Sequence, residues 1–183
     1  MSIEPLQYAR KRIIIYGIIG GLVGGFVMYI VMTALMIQMG MGPNCFVIIM
    51  GLIIGQPYDK ALIPGFVVHF AVSAAIGAIF GFIISSSKKL QVRGYSKGIG
   101  LGIAKGVIVF GVLFVPLVLI LMPPQMDVVM EMMMMDDMGM EHDMMMSNEE
   151  MLSMILWVGF FSHIAYGAVL GVIVSKPAKK VTQ

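Results

Sequence analysis

Residues 13–37 read IIIYGIIGGLVGGFVMYIVMTALMI, and the run holds no charged side chain. As a helix rising 1.5 Å per residue it would be about 37 Å long, enough to cross the roughly 30 Å hydrocarbon core of a bilayer. Three further stretches have the same character: Ala61–Ser85, Gly98–Met122 and Leu152–Ser175. Lys105 is the only basic residue inside any of the four. The chain of 183 residues is 59% hydrophobic and 12% charged, whereas a soluble domain is about half apolar and about a quarter charged. A soluble fold is thereby excluded. Each span must be helical, because lipid offers backbone groups no hydrogen-bond partner. The first span is too long for the core of a signal peptide and has no small-residue cleavage site after it. The single cysteine, Cys45, excludes an intrachain disulfide. The expected fold is a single all-α polytopic membrane domain of four transmembrane helices.

The charges are segregated. Arg10, Lys11 and Arg12 precede the first span, Lys88, Lys89, Arg93 and Lys97 lie between the second and third, and Lys176, Lys179 and Lys180 follow the fourth. These ten of the twelve basic residues share one side, and nine of the ten acids share the other. The positive-inside rule then places both termini in the cytoplasm of a cell-membrane protein. It places the long segment 123–151, expected as a loop, outside.

The chain also repeats itself. Gly65-Phe66-x-x-His69-x-Ala71-x-Ser73-x-x-x-Gly77 matches Gly159-Phe160-x-x-His163-x-Ala165-x-Gly167-x-x-x-Gly171 without gaps. Gly17, Gly21 and Gly25 correspond to Gly98, Gly102 and Gly106. Two parallel two-helix units follow, related about the membrane normal. Small residues at every fourth position let helix backbones approach closely. The segment Cys45–Gly55, CFVIIMGLIIG, is too short to span and reads as a re-entrant or interfacial element on the outer side. A glycine-rich first helix, a short apolar element and the Gly-x-x-His-x-x-x-small-x-x-x-Gly repeat together resemble a group of small four-helix prokaryotic membrane proteins. That resemblance implies a fold rather than an activity.

Residues 130–146 read MEMMMMDDMGMEHDMMM, with ten methionines in seventeen positions. Thioether sulfur is a soft, neutral ligand suited to Cu(I). Met130, Met132, Met133, Met134, Met135, Met138, Met140, Met144, Met145 and Met146 offer several overlapping sulfur sets. Asp136, Asp137, Glu141, His142 and Asp143 add harder ligands that suit Cu(II). The mutually repelling acids argue for little order without metal. The same segment also reads as an adaptable apolar docking surface or an oxidation sink. Methionine-rich outer segments of this kind resemble those of eukaryotic copper-uptake channels. The spacing Met28-x-x-x-Met32 is similar to the pore methionines of those channels. This chain, however, has four spans rather than their three and lacks their methionine-rich N-terminal ectodomain.

Met28, Met32 and Met36 recur at i, i+4 and i+8 and so share a helix face, which reads either as a soft-metal path or as ordinary apolar lining. His69 lies roughly 12 Å, and His163 roughly 16 Å, from the outer ends of their helices. A histidine inside hydrocarbon is a functional candidate. The pair reads as a shared copper site with a helix 1 thioether, or as two packing braces. Both are expected to face the interior rather than lipid. Lys105 is expected to snorkel to the headgroups, with anionic lipid as its partner. No nucleophile–base pair, phosphate loop or zinc signature is present, which argues against an enzyme with catalytic residues of its own and against nucleic-acid binding. Three functions remain. One is a copper-handling accessory or metal-delivery protein with bound copper ions. Another is a non-catalytic subunit of a larger membrane complex, such as a copper-dependent monooxygenase or oxidase. The last is a free-standing metal transporter. Other membrane subunits or a homo-oligomer are the implied partners.

Overall fold

The structure, a computed structural model, describes residues 4–87, 89–90, 92, 94–136 and 148–179, and the side chains of 10–87, 89–90, 92, 94–132 and 150–176. The described residues are helical, with no strand among them. Helix α1 covers Glu4–Gln38 and α2 covers Cys45–Ile53. A single 3₁₀ turn, Tyr58–Lys60, leads into α3, Leu62–Ser86. Helix α4 begins at Tyr95–Val109 and widens into two π-helical segments, Phe110–Phe114 and Leu117–Leu121. Helices α5, Pro123–Asp136, and α6, Asn148–Lys179, complete the order.

Four helices are long and apolar enough to cross a membrane: Arg10–Gln38, Leu62–Ser86, Tyr95–Leu121 and Glu150–Lys176. Their bounds fall within three residues of those expected from sequence. Their outward surfaces carry Phe26, Ile63, Ile108, Ile120 and Trp157, all more than half exposed. Water would penalise such a surface by about 25 cal/mol per Å², and a multi-pass membrane protein requires it. The widening of α4 flanks Pro116. A proline has no N–H to give the ladder and its ring crowds the carbonyl four residues back. Beyond it, the Met122 N–H donates to the Leu117 carbonyl, five residues earlier, at 2.9 Å.

The chain divides into two compact units. The first comprises Met1–Met28, Phe70–Val109 and Ser162–Gln183. Glycine sets its packing. On α1 and α3, a Cβ added at Gly17 would run into the Gly77 carbonyl, and one added at Gly21 into the Ser73 carbonyl. On α4 and α6, Gly102 meets Gly167, Gly98 meets Gly171 and Gly106 meets the His163 carbonyl. Phe80, Ile84, Val92, Tyr166, Leu170 and Val174 form the core of this unit.

The second unit comprises Tyr29–His69 and Phe110–Phe161. Here α2 is buried along nearly its whole length, from Cys45 to Leu52. It packs against α5, and its Gly51 abuts Ala61 while Val47 abuts Gly65. The segment expected as a short non-spanning element, Cys45–Gly55, forms a helix over Cys45–Ile53 that is packed within this unit. Eleven residues too few to span are enough to fill an interior. One difference concerns the long segment. Its first part is helix α5 rather than loop. Pro123 occupies the first helical position, where its missing N–H costs nothing and its fixed φ suits the helix. Gln, Met and Glu then favour continuation. Met122, Met126 and Val129 are buried, and Asp127 and Glu131 are exposed. On the described part of this helix, Met126 and Val129 face inward, while Asp127, Glu131 and Met132 are exposed.

Candidate functional site

The methionine column on α1 is buried. Met28 belongs to the glycine-lined unit, and Met32 and Met36 to the other, where both have 0% exposure. After α1, Gly40 takes a φ of 78°, a left-handed conformation open to glycine at little cost, and the chain reverses. The Met41 N–H donates to the Met36 carbonyl at 2.9 Å. That return brings Met41 beside the start of α2. The Cys45 thiol donates to the Met41 thioether at 3.5 Å, with both side chains buried. Burial pushes the Cys45 thiol up to about 12, so it stays protonated at neutral pH.

Among the described residues of this second unit, eight sulfur-bearing side chains are buried: Met32, Met36, Met41, Cys45, Met50, Met122, Met126 and Met151. They come from α1, α2, α5, α6 and the connections between them. His69 joins them, also buried, its ring set edge-on to Phe46 with centroids 5.3 Å apart and planes at 82°. Among its described residues the unit thus combines soft thioethers, which suit Cu(I), with one imidazole and a thiol that burial keeps protonated. Sequence reading did not single out Cys45. The signal was its i, i+4 spacing from Met41.

His163 is buried in the glycine-lined unit, and its backbone carbonyl stands against Gly106. Of the methionine-rich segment, Met130 is half-buried and Met132 exposed on α5. Met133, Met134, Met135 and Asp136 complete that helix, with side chains beyond those described. Asp137, Met138, Met140, Glu141, His142, Asp143, Met144, Met145 and Met146 lie outside the described residues. Among the described residues, no group of three or more His, Cys, Asp or Glu could hold a metal ion.

Lys105 does not snorkel. Its Nζ is buried with no hydrogen-bond acceptor among the described residues. It lies 4.4 Å from the Tyr166 ring centroid and 5.9 Å from that of Phe80. The Tyr166 hydroxyl donates to the Ser73 carbonyl at 2.9 Å, which fixes the ring. Gly102 and Gly106 bring α4 so close to α6 that the lysine stem runs between helices rather than outward. Aromatic faces attract an ammonium, by about 2 kcal/mol where it is desolvated. Comparison with known protein families, characterised proteins and solved structures finds no match for this chain in any of the three.

Proposed function

We propose that the protein is a copper-handling integral membrane protein acting as an accessory or metal-delivery component rather than an enzyme. The observation that carries this reading is that eight sulfurs are buried in one unit among its described residues. Helix α5 connects that interior to the methionine-rich segment, since it packs on α2 and runs directly into Met130–Met135. A Cu(I) ion captured by Met132–Met146 would find further thioethers at Met126 and Met122, then at Met41 and in the Met36–Met32 column. Neutral thioethers in series would hand the ion on with no proton leaving or returning, the Cu(I) keeping its single positive charge throughout. His69 is the one imidazole in that unit among the described residues. Both termini are cytoplasmic in this reading, and the methionine-rich segment faces outward, where copper arrives.

The two halves of the chain are duplicates in this reading. Gly17 meets Gly77 and Gly98 meets Gly171, so equivalent positions make equivalent contacts. Backbone contact at these glycines leaves no gap between α1 and α3 or between α4 and α6. That favours delivery to a partner over free-standing transport. The exposed, stacked pair Trp157 and Phe161, with centroids 6.3 Å apart, favours the second reading, a structural subunit of a larger copper-dependent membrane oxidase or monooxygenase.

Metal analysis and Ag(I) titration of the protein purified in mild detergent test the proposal. Bound copper, and Ag(I) uptake that falls when the methionines of 130–146 become leucine, are expected. Equal Ag(I) uptake by the leucine variant would remove thioether coordination. Outside labelling at Ser147→Cys but not at Ser96→Cys is expected from the orientation.

A further inference from the structure

The glycine-lined unit is one-sided in charge. Its ranges hold eleven of the twelve basic residues and one of the ten acids, Glu4. The described cations other than Lys105 converge at one end of it. Arg10 on α1 donates to the Ser86 hydroxyl at the end of α3, at 3.0 Å. Lys97, in the first turn of α4, donates to the Lys89 carbonyl at 2.8 Å. Val92, in the same connection, is buried against the core, which folds the turn over the helix ends. Ser175, next to Lys176, faces Gly98. Among the described residues, none of these cations has a carboxylate partner, and Arg10, Lys89, Lys97 and Lys176 are exposed.

Arg10 is held in a seat. Its guanidinium stands 4.5 Å above the centroid of the Phe82 ring. Phe82 is 49% exposed and belongs to an apolar span, so its free surface faces acyl chains. The Ser86 hydroxyl that receives Arg10 donates in turn to the Phe82 carbonyl at 2.7 Å. One edge of the guanidinium fork is thereby fixed at the level where hydrocarbon gives way to headgroups. Its remaining donors are free to grip a phosphate in two places at once.

We propose that this basic end of the glycine-lined unit, centred on Arg10 above Phe82, binds the phosphate of anionic phospholipids. A ligand here must present a phosphate immediately beside hydrocarbon, and a phospholipid does so by construction. The surrounding lysines add attraction without geometry, while the Phe82–Ser86 seat supplies the geometry. The surface is independent of the copper reading, and its test involves no metal.

Native mass spectrometry of the full chain, incubated with equal amounts of phosphatidylglycerol and phosphatidylcholine, provides the test. The wild type should retain phosphatidylglycerol preferentially. Arg10→Gln should weaken retention about fivefold, and Lys89→Gln and Lys97→Gln should each weaken it by less. Phe82→Leu keeps every charge but removes the seat, and should cost as much as Arg10→Gln. Lys60→Gln makes the same charge change in the other unit and should cost nothing. Equal retention of both lipids by the wild type overturns the proposal, and that arm needs no variant to fold. So does a Lys60→Gln loss equal to that of Arg10→Gln. Full displacement of lipid by inorganic phosphate would assign a free anion instead. A copurifying acidic protein lost from the variants, with lipid retention unchanged, would assign a protein partner.

Discussion

The two units bury different materials. In the first, helices meet through glycine, backbone against backbone: Gly17 on Gly77, Gly102 on Gly167. The second buries methionine around the short helix α2, which itself meets its neighbours through Gly51 on Ala61 and Gly65 on Val47. Backbone contact leaves nothing to adjust, because a carbonyl cannot rotate out of the way. Thioether side chains have three soft torsions and can repack around an incoming atom. The first unit therefore suits a fixed frame and the second a variable interior. Lipids cannot drive helices together by the hydrophobic effect, since acyl chains are as apolar as leucine, so close packing must do it. Glycine contacts supply that in both units, and the methionine side chains of the second remain able to repack.

The sharpest way to break this contrast is to add bulk to each unit. Gly102→Leu would drive a side chain into the Gly167 carbonyl. We expect a loss of about 3 kcal/mol or more, or no folded protein, in unfolding assays in mixed micelles. Gly100→Ala on the same helix meets nothing within 4 Å and should instead gain about 0.5–1 kcal/mol. Equal effects at the two positions would remove the distinction between packed and open glycines.

Next in size is Lys105→Met. Methionine keeps the length of the lysine and removes a buried ammonium with no carboxylate partner among the described residues. Exchanging buried charge for apolar volume is expected to raise stability by about 1–4 kcal/mol. The exposed Lys60→Met in the other unit should change it by less than about 0.5 kcal/mol. A destabilised Lys105→Met would mean that the contacts with Tyr166 and Phe80 outweigh the burial of charge.

How much of this was legible in the sequence differs between the units in the same way. The four spans were, because an unbroken apolar run has one physical solution in lipid, and their bounds agree within three residues. The small-residue stripes were, because i, i+4 spacing fixes a face. Helix α5 was not. Its methionines read as ligands, while their helix propensity and the paired Pro123 and Pro124 were passed over. The fate of Lys105 was not, because snorkelling depends on how closely α6 approaches and not only on depth. The Met41–Cys45 contact follows the i, i+4 spacing of the two residues, but their burial depends on how α2 packs, which spacing does not reveal.

A smaller effect on stability, but a decisive one on function, is expected from Met36→Leu and Met32→Leu. Leucine nearly conserves volume, so the cost should stay below about 1.5 kcal/mol even at fully buried positions. If the methionine unit conducts or stores soft metal, Ag(I) stoichiometry should fall by at least one ion while the fold persists. Unchanged stoichiometry in the double variant would make the column plain packing and would confine metal binding to residues 130–146.

Cys45 offers the smallest effect and a control for the others. Its thiol is pushed from the usual 9.0 up to about 12 by burial. The folded state therefore favours the protonated thiol, and the resulting stability is complete below pH 9. It is lost as the pH rises toward 12, because the unfolded chain then releases a proton that the fold retains. The stability difference between wild type and Cys45→Ala should be constant from pH 6 to about pH 8.5 and turn against the wild type above pH 9. Reactivity follows the same cause. Only thiolate attacks a maleimide, and a thiol with a pKa near 12 is about 0.001% thiolate at pH 7. In intact micelles Cys45 should stay unlabelled over a period in which the SDS-unfolded chain labels fully. Rapid labelling of the folded protein would show Cys45 to be open to solvent and would dissolve the sulfur contact with Met41. A silent Cys45 leaves cysteines introduced at positions 96 and 147 as clean reporters of sidedness, on which the outward placement of the methionine-rich segment depends.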